Sequence, residues 1–169
     1  NADEDHLTQA LSSPHKQVNL DAMKHPKLNV GHLMLALNHP NKDVRLAAVR
    51  NEMIPDKNLV QAMTSPDSDI RAHAMTNPKI NSDHIKSALE IASPQVKMSL
   101  LGHNKISKEQ LSDALDDSDI SVRRAAMGNR SIDGDHITKA LDDKDPSIRM
   151  MAIKKPHVNV DHITKALDD

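Results

Sequence analysis

Ile163-Thr164-Lys165-Ala166-Leu167 stands near the end of the chain, and Ile137-Thr138-Lys139-Ala140-Leu141 stands 26 positions before it. The same register carries Ala-Leu at Ala10-Leu11, Ala36-Leu37, Ala88-Leu89 and Ala114-Leu115, with Ala62-Met63 filling the remaining step. Three residues ahead of each Ala sits Leu7, Leu33, Leu59, Ile85, Leu111, Ile137 or Ile163. Two further apolar series keep the period: Val18, Val44, Ile70, Val96, Val122 and Ile148, then Ala22, Ala48, Ala74, Leu100, Ala126 and Ala152. An unbroken period of this length is the mark of a repeat architecture.

Each unit reads as two short helices. Ile163, Ala166 and Leu167 fall at i, i+3 and i+4, which is one helical face. The first helix is expected to be capped by Asp3, Asn29, Asn81, Ser107, Asp133 and Asn159, with Pro55 as the exception. Leu28, Ile54, Ile80, Ile106, Ile132 and Val158 precede the caps and can staple onto the residue four positions into the helix. For the second helix the caps are Asn41, Asp67, Ser93, Asp119 and Asp145, and Pro94 and Pro146 fit the first helical position. Pro26, Pro78 and Pro156 are expected to stop it. Helices of about 9 or 10 residues are not stable alone in water. Stacked neighbours must therefore bury their apolar faces. The expected fold is all-α, a right-handed solenoid (superhelix) of 26-residue two-helix repeats. Residues 1–169 form one repeat domain, with six repeats and a seventh first helix. The chain starts without Met and ends on an unpartnered apolar face, so it is expected to be a fragment of a longer chain.

Composition agrees. The chain of 169 residues is 37% hydrophobic and 27% charged, and it has no Phe, Trp, Tyr or Cys. Without aromatics the core must be thin and repeated. Without cysteine there are no disulfides, thiolate nucleophiles or cysteine-held metals. An intracellular, cytoplasmic location follows as an expectation. No apolar run reaches the roughly 20 residues of a membrane span.

The segment Asp67-Ser68-Asp69-Ile70-Arg71, followed by Asn77-Pro78, resembles the leucine-rich variant repeat and, more loosely, the HEAT-like helical repeats. Asp145-Pro146-Ser147-Ile148-Arg149 is a second match. The resemblance covers essentially the whole chain. It implies helical pairs whose second member is either α or 3₁₀, and a binding role, for proteins most often and for nucleic acids in some members. The iron–sulfur cluster associated with the leucine-rich variant family has no cysteine ligand here.

Four series carry candidate function. A basic ladder, Arg45, Arg71, Lys97, Arg123 and Arg149, places one cation in each repeat. It fits a groove for phosphate or acidic peptide, or an internal pairing with Asp43, Asp69 and Asp119, as the HEAT-like resemblance also implies. Arg123→Ala separates these readings, since a purely ligand-binding side chain is removed at little cost to folding. An acidic edge closes the later first helices: Glu90, Asp116, Asp117, Asp142, Asp143, Asp168 and Asp169, against Ser12, Asn38 and Thr64 in the earlier ones. Acids there oppose the helix dipole. That leaves a basic partner or simple turn polarity as their reason. His6, His32, His84, His136 and His162, with Asn58 and Gln110 in the gaps, sit at the third helical position, where they suit capping. Met23, Met63, Met75 and Met127 fall at core positions, while Met34 and Leu35 beside Leu33 offer an apolar contact patch. No catalytic, cofactor or metal motif is present, and the chain reads as non-enzymatic. The expected role is a scaffold for protein–protein interaction. The alternatives are nucleic-acid binding along the ladder, disfavoured by a net charge of −2 and the absence of stacking aromatics, and a spacer that self-associates end to end.

Overall fold

The computed structural model describes residues 2–156, and the side chains from residue 4 onward. Among the described residues every regular element is an α-helix. The first helices of successive repeats are α1 (Ala2–Leu11), α3 (Val30–Leu37), α5 (Asp56–Met63), α7 (Ser82–Ile91), α9 (Lys108–Leu115) and α11 (Gly134–Leu141). The second helices are α2 (Lys16–Ala22), α4 (Lys42–Arg50), α6 (Ser68–Met75), α8 (Pro94–Leu100), α10 (Ile120–Gly128) and α12 (Pro146–Ile153). The second helix is thus α rather than 3₁₀. The expected seventh first helix, with Val158, Asn159, His162, Ile163, Ala166, Leu167, Asp168 and Asp169, lies outside the described residues.

The chain divides into two compact units between His84 and Ile85. In the first unit α1 packs on α2, α3 on α4 and α5 on α6. Across repeats, α1 meets α3, α2 meets α4 and α4 meets α6. In the second unit α9 packs on α10 and α11 on α12, while α9 meets α11, α8 meets α10 and α10 meets α12. Most helices of each unit thus touch their own partner, their counterpart in the adjacent repeat, or both. The core runs between these layers. Leu7, Leu33, Leu59, Ile85, Leu111 and Ile137 are all buried, as are Ala22, Ala48, Ala74, Leu100, Ala126 and Ala152.

Local chemistry explains the helix ends. Asn29, Ser107 and Asp133 each form a reciprocal capping box with the third helical residue. Asn41, Asp67, Asp119 and Asp145 accept backbone N–H groups of the second helices. Ser93 departs from expectation. It makes no side-chain cap bond, and α8 starts from Pro94, whose fixed φ already suits a first turn. Asp3 lies inside α1 rather than before it. The second helices also end three or four residues ahead of Pro26, Pro78 and Pro156. At two of these stops the residue before the proline, His25 or Asn77, accepts an N–H two residues on and so shapes a turn. Val18, expected in the core, is 43% exposed. Its helix, α2, packs on α1 and on a single other second helix, α4.

Ala114 is buried on α9, so Ala114→Asp places an unpaired carboxylate in an apolar layer. The expected cost is several kcal/mol, read as a large drop in thermal midpoint by circular dichroism. A midpoint within a degree of the parent would contradict the packing described.

Candidate functional site

The arginines of the ladder project from the second helix toward the loop that precedes it. Arg45 Nη1 donates to the carbonyl oxygens of His39 and Pro40 at 2.7 and 2.8 Å. Arg71 Nη1 donates to Ser65 and Pro66 at 2.6 and 2.9 Å. Arg123 Nη1 reaches Asp117 and Ser118 at 2.9 and 3.2 Å, and Arg149 Nη1 reaches Asp143 at 2.7 Å. These carbonyls lie just past the end of the first helix, where intrahelical donors have run out. The row also has a member that the sequence reading missed. Asn19, 26 positions before Arg45 and 1% exposed, directs its Nδ2 to the carbonyls of Ala10, Leu11 and Ser13 at 2.9, 3.1 and 3.0 Å. The cue was the shared register; the change from guanidinium to amide concealed it.

The acidic edge divides by position. Asp117 Oδ2 accepts from Lys97 Nζ at 2.7 Å. Asp143 accepts from Arg123 through Nε at 2.8 Å and Nη2 at 3.2 Å, with the two side chains only 4% and 6% exposed. The other oxygen of Asp117 accepts the Asp119 N–H, and Asp143 Oδ1 accepts that of Asp145. Ser13, His39 and Ser65 occupy this register in the earlier repeats and accept the corresponding N–H groups of His15, Asn41 and Asp67. A carboxylate at this place shapes the turn and also ties it to the cation of the preceding repeat. Asp116 is exposed and pairs with Lys139 at 2.5 Å, and Asp142 is exposed.

The internal partners proposed for the ladder were Asp43, Asp69 and Asp119, and here the structure corrects the reading. Asp43 pairs with Lys16 and Asp69 with Lys42, each at 2.5 Å. Both acids stand two residues before their ladder arginine, and residues at i and i+2 do not face each other on a helix. Asp119 spends its carboxylate on the Ser121 N–H.

Three of the described histidines in the series cap as expected, whereas His6 lies exposed inside α1, which starts at Ala2. His32 Nδ1 accepts the Asn29 N–H at 3.2 Å, and His84 Nδ1 accepts that of Asn81 at 3.2 Å. The far ring nitrogen links to the first helix of the preceding repeat: His32 Nε2 to the Glu4 carbonyl at 3.2 Å, His136 Nε2 to that of Lys108 at 2.9 Å, and His84 Nε2 to the Asp56 carboxylate at 3.3 Å. Among the described residues no three His, Asp or Glu side chains converge as a metal would need. Met23, Met63 and Met127 are buried and Met75 is half-buried, whereas Met34 and Leu35 are exposed beside a cleft lined by Leu11, Ser13, Pro14 and His39.

Burial pushes the Asp117 carboxyl up, but Lys97 and the Asp119 amide outweigh it and hold the group below its ordinary value. Lys108, with His136, holds Asp133 far below that range. A carboxyl depressed in the folded state stabilises above its unfolded pKa, about 3.9, and that contribution is lost as pH falls below it. Denaturation midpoints should therefore drop below about pH 4, and Asp117→Asn should flatten that limb; an unchanged acid limb would count against the Lys97 link. Arg123→Ala should cost about 3–5 kcal/mol, because it leaves Asp143 buried without its cation. Arg45→Ala should cost less, about 1.5–3 kcal/mol for charge-assisted bonds to carbonyls. Equal, negligible losses in urea titrations would show that neither side chain supports the fold. No family model matches the chain, and no match to a curated protein or to a solved structure was found.

Proposed function

We propose that the chain is a non-catalytic scaffold that binds a protein or peptide partner, its repeats stacking as a right-handed solenoid similar to the leucine-rich variant and HEAT-like families. One observation carries the binding reading. Val30, Met34 and Leu35 on α3 are 48%, 38% and 48% exposed. The register of Val30 holds Glu4, Asp56, Ser82, Lys108, Gly134 and Val160 elsewhere; that of Leu35 holds Gln9, Gln61, Ser87, Asp113, Lys139 and Lys165. At the register of Met34, only Val60 is also apolar. Repeat two thus departs from the pattern on its solvent side, where stacking does not demand apolar side chains. Exposed apolar residues gathered on one helix favour a protein contact.

The engagement of the ladder also supports this reading over a phosphate-binding one. Arg45, Arg71, Arg123 and Arg149 already donate to turn carbonyls. A nucleic-acid backbone would have to compete with those bonds, and the net charge of −2 adds no attraction. Selection of peptides from a random library on the intact chain tests the proposal. Enriched peptides should carry apolar anchors and lose binding at least tenfold to Leu35→Glu, with the thermal midpoint unchanged. Failure to enrich any peptide sensitive to that change would overturn the reading. Salt-sensitive retention on a heparin column, lost in Arg71→Ala, would favour nucleic acid instead.

A further inference from the structure

His32 and His136 occupy the same register yet meet different caps. His32 sits on Asn29, an amide; His136 sits on Asp133, a carboxylate. His32 is buried, takes the Asn29 N–H on Nδ1 and directs Nε2 to the Glu4 carbonyl. That arrangement is satisfied by the neutral ring carrying its proton on Nε2. An imidazolium has two donors and no acceptor. Protonating His32 therefore turns the Asn29 N–H and the ring N–H into two donors facing each other, at the positive end of the α3 dipole. Among the described residues no carboxylate pairs with the His32 ring. From α1, Glu4 contributes its backbone carbonyl, while its side chain, Asp5 and His6 are exposed. From α4, Lys42 is held by Asp67 and Asp69, Asp43 by Lys16, and Arg45 by the His39 and Pro40 carbonyls, while Arg50 is exposed.

At His136 the same event is accommodated. Nδ1 lies 2.5 Å from Asp133 Oδ1 and Nε2 lies 2.9 Å from the Lys108 carbonyl, so both donors of an imidazolium have acceptors. The Asp133 N–H is 3.4 Å from Nδ1, so little is lost when that nitrogen becomes a donor. From α9, Lys108 Nζ pairs with Asp133 Oδ2 at 2.6 Å, Glu109 adds negative charge near the ring, and Asp113 is exposed. Asp135, on the same helix, is exposed. From α10 and α12, Arg123 is committed to Asp143, Arg124 to Ser147 and Arg149 to the Asp143 carbonyl.

We propose that mild acid acts on the two caps in opposite ways, loosening the start of α3 through His32 while leaving the start of α11 intact through the His136–Asp133 pair. The array would then carry a built-in acid-sensitive step in its second repeat, beside the apolar residues Val30, Met34 and Leu35. The test is amide hydrogen exchange by NMR from pH 7.5 to 5, corrected for intrinsic rates, with ring tautomers read from long-range ¹H–¹⁵N correlations. His32 should be in the Nε2–H tautomer at neutral pH. Protection of the Asn29 amide should fall about fivefold on protonation, the equivalent of one cap bond of about 1 kcal/mol. The Asp133 amide should keep its protection. His32→Gln imitates Gln110, whose Oε1 accepts the Ser107 N–H at 2.9 Å. It should retain the cap and remove the pH response, and Asn29→Asp should do likewise by supplying a carboxylate. An Nδ1–H tautomer at His32, parallel losses at Asn29 and Asp133, or a response that survives His32→Gln would each overturn the proposal.

Discussion

Short helices are mostly ends. An α-helix leaves about four N–H groups and four carbonyls unpaired at its termini, so a helix of eight residues such as α3, α5, α9 or α11 has as many orphan groups as internal ones. The fold of this chain depends on meeting that demand in every repeat. The ladder answers it at one loop, since Asn19, Arg45, Arg71, Arg123 and Arg149 all donate to carbonyls at the end of the preceding helix. The next loop is answered from the neighbouring repeat: Asn77 Nδ2 donates to the Val49 carbonyl at 2.7 Å, and Asn129 Nδ2 to that of Leu101 at 2.5 Å. Apolar burial then has only to hold together pairs whose backbone is already satisfied.

Much of this was legible because it is periodic. The buried Leu/Ile and Ala series, the two helices of each repeat and the capping boxes follow from residue type and register, and short-range rules govern all of them. What escaped reading was longer in range or chemically disguised. Asp143 pairs with Arg123 from 20 residues away, whereas Asp43 and Asp69, near in sequence to Arg45 and Arg71, face elsewhere. Asn19 does an arginine's work with a short amide. Val18 has the right residue type in the right register, yet it remains exposed because burial depends on which helices lie beside it. The candidate site was legible to the same extent: the rows were visible, but nothing in their spacing distinguished a cation aimed at a carbonyl from one aimed at a ligand.

The gradient of acidic residues has a physical reading at the same level. At the turn register, Ser13, His39 and Ser65 each supply one acceptor for an N–H two residues on. Asp117 and Asp143 supply that acceptor and a second oxygen, which reaches back to Lys97 or Arg123. Acids at a helix C-terminus oppose the dipole by about 0.3–1 kcal/mol. A buried pair such as Arg123–Asp143 offsets that cost only because its remaining hydrogen-bonding groups are also used. Ile91, 67% exposed, breaks the series with no polar side-chain atom at all, so it supplies no side-chain acceptor to its turn.

Where every repeat position has a structural task, function has to be sought where the pattern is broken without a structural return. Arg45, Arg71, Arg123 and Arg149, the turn acids Asp117 and Asp143, and the capping residues His32, His84 and His136 each have such a task, met by a carbonyl, an amide or a counter-ion of their own repeat or the adjacent one. Val30, Met34 and Leu35 break the pattern without that return. Most of their counterparts are polar, and every counterpart of Leu35 is; their exposure contributes nothing to stacking, and leaving apolar area in water forgoes roughly 25 cal/mol per Å² that burial would return. A partner that covers them recovers that free energy on binding. The cap beneath them rests on Asn29 and His32, so the helix that presents this patch is anchored at its start to α1 through the Glu4 carbonyl.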